Sequence, residues 1–192
     1  MKRHLIIILV TLFPFFGFSL PNVSNTVVTI NYTEGTKSNI HTTVPVKINK
    51  WMLSKLPAAW LSGVRLTLID QDKCEVKVRF KWINQNPYRS MFWAVQGMAA
   101  ELTTGMLLTK SIQDSNTNIS MLLVSNKSNF HKKAVGKITF TCDEGEIAKQ
   151  LINSTINNIS SKAWFKSKGF DEDGDLVSEF EFEWSCKKRK NG

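Results

Sequence analysis

The chain has 192 residues, 42% of them hydrophobic, and a formal net charge of +9. That is enough for one domain with a real core and no need of a disulfide framework, which three cysteines, an odd number, would not supply. The basic balance does not mark a nucleic-acid binder: part of it sits in the N-terminal stretch (Lys2, Arg3, Lys37, Lys47, Lys50), part in Lys187, Lys188, Arg189 and Lys190, and no recognised nucleic-acid motif accompanies it.

Residues 1–21 open with Lys2 and Arg3 and continue into an apolar run, 5–20, interrupted by Pro14 and Gly17. Three readings stand open: a secretory signal peptide, a retained anchor, or an overextended start with translation beginning later, near Met52. An overextended start places the protein in the cytoplasm. Otherwise it is exported or membrane-anchored, and a membrane is a partner only if residues 5–20 are retained. Residues 22–44 are rich in Asn, Thr and Ser and read as a poorly ordered linker. Residues 45–189 read as the domain, and 190–192 as the end of a basic tail.

Within the domain, 50–61 reads as a short apolar helix or turn broken at Pro57, and 63–69 as a strand. The clearest strand is 74–82. Cys74, Val76, Val78, Phe80 and Trp82 point one way, and Glu75, Lys77, Arg79 and Lys81 the other. After the turn signal Asn86-Pro87 comes a helix at about 90–109 that carries one charged residue, Glu101, among small and large apolar ones. Such a helix is buried on nearly all sides. Strands follow at 119–130, apolar on both parities over 121–124, and at 137–142. Asp143 and Glu146 have capping-box spacing before a surface helix with Ile147, Leu151, Thr155 and Ile159 on one stripe. The fifth strand is 161–170. Asp171 and Gly174 bound a hairpin turn too short for an EF-hand. In the last strand Phe180, Phe182, Trp184 and Cys186 face in, while Glu179, Glu181 and Glu183 face out, placed to lie across from Lys77, Arg79 and Lys81. The order β-β-α-β-β-α-β-β gives an α+β domain. A curved antiparallel sheet of about six strands wraps a central helix, and one further helix lies on the surface.

A lone carboxylate in a buried helix must find partners, shift its pKa or do chemistry, because an unpaired buried charge is costly. Glu101 is therefore the candidate general base or nucleophile, beside the plainer role of a structural Glu. Thr104, one turn on, can orient that carboxylate or a water, or simply bond back to an upstream carbonyl. Gln96 and Gly97 near the helix start are candidate pocket residues. Asn84 positions a water or caps a turn. Arg89, Lys132 and Lys133 lie where they could meet phosphates, and read more simply as solvated charges. His131, beside two lysines, reads as exposed. His4, His41 and His131 are isolated and no cysteine cluster has ligand spacing, so neither a metal nor a cofactor is expected. No Ser sits in a GxSxG elbow.

Four segments carry a resemblance: KLPAAWLSGVR (55–65), KWINQNPYRSMFWAVQGMAAELTTG (81–105), SMLLVSNKSNFHKKAVGKITFTCDEG (120–145) and VSEFEFEWSCK (177–187). Over about residues 45–189 the chain resembles the DUF4442 family, a group with the hotdog fold near the acyl-CoA thioesterases. The resemblance implies a hotdog fold, a homodimer or dimer of dimers, and an acyl-CoA or acyl-carrier thioester held at the subunit interface. Asn84 would match the Asn of better-known hotdog thioesterases and Glu101 their helix carboxylate. Phe92-Trp93-Ala94 stands where those enzymes have His-Gly-Gly. Glycine there lets backbone N–H groups reach an oxyanion, so Trp93 either obstructs that approach or moves the pocket. Three functions follow: a thioesterase using Glu101, a non-catalytic hotdog protein that binds an acyl chain or a partner, and a structural homo-oligomer.

Overall fold

The structure, a computed structural model, describes residues 43–189. The expectations for a signal, anchor or overextended start, most of the linker, and the tail at 190–192 lie outside the described residues. Helix α1 (Thr43–Lys55) begins two residues inside the stretch assigned to the linker, and α2 (Pro57–Leu61) follows with proline in its first turn. The expected piece at 50–61 thus becomes two helices. Leu56, which precedes Pro57, lies off the helical region at φ −130°, as a residue before proline tends to.

Six strands form one sheet: β1 (Arg65–Ile69), β2 (Cys74–Arg79), β3 (Ile119–Phe130), β4 (Lys137–Cys142), β5 (Ser160–Phe170) and β6 (Leu176–Lys188). Their order is β1-β2-β4-β5-β6-β3, and every neighbouring pair is antiparallel. The central helix α3 (Trp93–Asp114) packs on β2, β4, β5 and β6, so the expected sheet around a buried helix is the architecture observed. Its contact surface is filled by Ala99, Ala100, Leu107 and Leu108 against Val76, Val78, Phe140, Phe165 and Phe180, all almost fully buried. Each large side chain of this set contributes roughly 1.5–3 kcal/mol by leaving water. The three cysteines are free and buried within this core, Cys74 opposite Cys142.

Four details depart from the sequence pattern. Strand β2 stops at Arg79, so Trp82 does not face the core. It stands 82% exposed on a 3-10 turn, Trp82–Asn84. The cause is Asn84, whose amide turns back to the Arg79 carbonyl and ends the strand. Helix α4 (Gly145–Asn158) has no capping box. Glu144, not Asp143, precedes it, and the Glu144 carboxylate accepts the Lys166 backbone N–H instead. Its buried stripe is Ala148, Leu151, Ile152 and Thr155, packed on α3 and β5, while Ile159 has left the helix at φ 71°. The acidic face of β6 does not meet the basic face of β2, because β4 and β5 lie between them. Glu181 and Glu183 pair with Lys166 and Lys162 of β5, and Arg79 reaches Glu172.

The sheet's two edges differ. On β1, the Asn49 side chain of α1 both donates to the Leu66 carbonyl (2.9 Å) and accepts its N–H (3.0 Å), mimicking a further strand. On β3 nothing described covers the outer edge. This strand is bulged between Leu123 and Ser125, and Leu122 and Val124 are exposed.

Candidate active site

Three polar side chains of α3 are tied to the sheet. Gln96 accepts from Ser178 at 2.9 Å and donates to the Met91 carbonyl at 3.2 Å. Thr103 donates to the Ala100 carbonyl and lies 2.9 Å from the Ser167 hydroxyl. Thr104 accepts from the Trp184 indole N–H at 3.0 Å and donates to the Glu101 backbone carbonyl. Each bond supplies a partner that burial would otherwise remove.

Glu101 is the exception. Its carboxylate has no hydrogen bond or ion pair among the described residues, and burial alone pushes its pKa up from the ordinary carboxylate value. It retains some access to solvent, and no side-chain polar atom of the described residues is both fully buried and unpaired. Gly97 and Gly105 stand one turn to either side. A Cβ placed at Gly105 would lie 3.3 Å from the Trp184 ring and 3.8 Å from Glu101 Oε1, so the carboxylate and the indole border the same small space. At Gly97 a Cβ would make only ordinary contact with Phe180, at 3.6 Å, so packing does not demand glycine there.

The approach to α3 is a closed loop. A bridge joins Gln85 to Met91, the Phe92 N–H donates to the Asn84 carbonyl, and Asn86 Oδ1 accepts from the backbones of Tyr88 and Ser90. Arg89 takes a positive φ of 57° in that turn and is exposed. A cleft of about 390 Å³ opens at the helix start, between Trp93 and Gln96 on one side and Phe130, His131 and Lys133 on the other. The N–H groups of Trp93 and Ala94, in the first helical turn, have no acceptor among the described residues and point out of the N-terminal end. Such groups favour an anion or a polarised carbonyl oxygen.

A family model described as a domain of unknown function, DUF4442, matches residues 46–186. The chain belongs to the DUF4442 family. No curated protein matches it. Among solved structures it is similar to a protein of unknown function from Pseudomonas aeruginosa described as a probable thioesterase. That pair has 18% identity and a TM-score of 0.66 over 78% of this chain and 99% of that one. It is also similar to a putative thioesterase from Shewanella oneidensis, with 12% identity and a TM-score of 0.62 over 76% and 98% of the two chains. A third is a thioesterase from Haemophilus influenzae, with 12% identity and a TM-score of 0.59 over 75% and 90%. At such identities the likeness establishes the hotdog fold.

In this DUF4442 domain the expected site residues separate into groups. Trp93 and Gln96 line the cleft, and Glu101 lies further along the same helix with Gly97 between. Thr104 is committed to Trp184 and to the Glu101 backbone, so it does not touch the Glu101 carboxylate; the plain back-bond is the one realised. Asn84 is almost fully buried. Its amide donates to Ser62 and Arg79 carbonyls and its oxygen accepts the Lys81 N–H, which makes it a latch under the loop with no donor left for a water. Lys132 is held by Asp171 and Asp175, at 2.6 and 2.7 Å, in the turn between β5 and β6. His131 is exposed, 3.2 Å from Glu179. Strand alternation places Trp184 inward and the Asn86-Pro87 signal places Asn86 in a turn, but neither gives their bonds, and Ser178 carries no signal at all. Trp184 and Ser178 reach the helix through register across the sheet.

Proposed function

We propose that the protein hydrolyses an acyl-CoA or acyl-carrier thioester, with the Glu101 carboxylate as general base or nucleophile. The reading is carried by one observation: Glu101 is the sole charged residue in the sheet-facing part of the central helix, and it alone among that helix's sheet-facing polar side chains has no partner. Burial raises the Glu101 pKa above that of an ordinary carboxylate, and a stronger conjugate base is the direction that suits a general base. The first-turn N–H groups of α3 would receive the developing oxyanion.

The two halves of this chemistry do not meet within one chain. Eight residues separate Trp93 from Glu101, about 12 Å of helix rise. The Glu101 carboxylate also leans toward Gly105, away from the helix start. One thioester carbonyl cannot touch both, so the site is completed by a second copy, whose α3 N-terminus faces Glu101 of the first. The uncovered β3 edge supports this pairing, since an unpartnered strand edge is a template for another strand. Asn84 and Thr104 then act by holding the loop and Trp184 in place. Trp93, Gln96 and Gly97 border the substrate. Arg89, on the loop above, is within the region a CoA phosphate would pass.

The test is thiol release from a panel of acyl-CoA and acyl-carrier substrates by the full chain beside Glu101→Gln. The proposal expects turnover that falls by about 10²–10⁴-fold in the variant. A second reading, a hotdog protein that binds an acyl chain without hydrolysing it, is favoured by Phe92-Trp93-Ala94 in place of glycines. It predicts acyl-CoA binding with no thiol released by either protein.

A further inference from the structure

The loop that leads into α3 carries five exposed large hydrophobic side chains, Trp82, Ile83, Tyr88, Phe92 and Trp93, and the chemistry at Glu101 makes no use of its tip. At the tip, 82–88, Trp82 is 82% exposed, Tyr88 76% and Ile83 56%. The loop is not a slack one. The Gln85–Met91 bridge, the Phe92-to-Asn84 bond and the Asn86 side chain hold it closed, so these side chains are presented rather than merely unpacked. Neither the Trp82 indole N–H nor the Tyr88 hydroxyl has a hydrogen-bond partner among the described residues. Aromatic side chains with an apolar body and an unsatisfied polar tip are those found at the headgroup level of membranes.

The charges around the loop agree. No Asp or Glu occurs between Glu75 and Glu101, or between Asp114 and Asp143, the two stretches that supply the loop and the opposite cleft wall. The carboxylates that approach from the β5–β6 turn are taken up locally. Asp171 and Asp175 hold Lys132, and Glu172 holds Arg79 and Lys137. Glu179 faces His131, and Asp173 alone in that turn has no cation. Lys81, Arg89 and Lys133 remain exposed and outside any ion pair. A rim of uncompensated cations around Trp and Tyr complements an anionic lipid surface.

We infer that the tip of this loop, 82–88, docks the domain on an anionic phospholipid bilayer, with Trp82 and Tyr88 in the headgroup layer and Lys81 and Lys133 over lipid phosphates. The occupant of the tip is lipid rather than a second copy because the pairing of copies engages the start of α3 and the β3 edge, while the tip carries exposed Lys81, Arg89 and Lys133 outside any ion pair among the described residues, a complement to lipid phosphates.

The test is partition of the full chain onto vesicles of phosphatidylcholine alone and of phosphatidylcholine with phosphatidylglycerol, by co-sedimentation. Wild type, Trp82→Ala/Tyr88→Ala and Lys81→Gln/Lys133→Gln are compared, each checked for fold by circular dichroism and for oligomeric state by analytical ultracentrifugation. The aromatic pair of substitutions is expected to weaken partition by about tenfold on both vesicles. The lysine pair is expected to weaken partition on the anionic vesicles by about thirtyfold, the equivalent of about 1 kcal/mol for each of the two cations, and to leave partition on phosphatidylcholine unchanged. Partition unchanged in both variants overturns the inference. So does dissociation of the oligomer in Trp82→Ala/Tyr88→Ala, which would assign the loop to a second copy.

Discussion

At the scale of single residues, Glu101 is held in a position that costs stability. Its neighbours in the helix are bonded to the sheet, while its carboxylate has only partial hydration and a raised pKa. An acid whose folded pKa lies above its unfolded one binds more protons when folded. Its stability contribution is therefore most favourable below the unfolded pKa and declines as pH climbs through the folded value. Glu101→Gln is accordingly expected to be more thermostable than wild type at neutral pH, with the gain shrinking as pH drops below the ordinary carboxylate range. Melting curves across that range check it; a variant less stable at neutral pH would mean that the carboxylate makes a favourable contact in the folded protein. The sequence made Glu101 legible because a single charge in a long apolar run is visible without any structure. It could not reveal that Thr104 is occupied by Trp184, since that bond spans 80 residues and depends on sheet register.

At the scale of elements, the loop between β2 and α3 decides where the helix begins. Asn84 is its fastening, with three side-chain bonds to Ser62, Arg79 and Lys81 and a backbone carbonyl that accepts from Phe92. Asn84→Ala leaves two carbonyls and one N–H without those partners. The expected cost is about 2–4 kcal/mol, read as a lower urea midpoint. If Asn84 served only to place a water, stability would hardly change. The alternation from Cys74 to Trp82 ran past the true end of β2 because period-2 patterning reports which residues are apolar, not where a side chain turns the backbone. The same limit shifted the buried stripe of α4. The tertiary contacts with α3 and β5 chose Ala148 and Ile152, which a surface-helix reading had passed over. The sheet itself was readable, since clear alternation in β2, β4 and β6 leaves little freedom to an antiparallel arrangement.

At the scale of the whole molecule, the contrast between edges organises the account. Asn49 closes β1, and β3 stays open beside exposed Leu122 and Val124. Lysines at both positions, Leu122→Lys/Val124→Lys, would set like charges near one another across a two-fold pairing of β3 strands. The double variant is expected to sediment as a monomer and to lose turnover with Glu101 intact, because the oxyanion-binding helix end then has no second carboxylate to face. Full turnover by a monomer would contradict the shared site. The hotdog fold was legible from the order of elements and the four resembling segments. The pairing of copies was not, because edge exposure appears only once strand order is known.

The measurement closest to the central claim is the pH dependence of thiol release by the full chain on its best acyl thioester, beside Glu101→Gln. Catalysis by Glu101 requires a rate that rises with pH through an inflection higher than that of an ordinary glutamate, the direction in which burial moves its pKa. That limb should be missing from a folded Glu101→Gln protein. The same profile in both proteins would contradict the account and remove Glu101 from the chemistry.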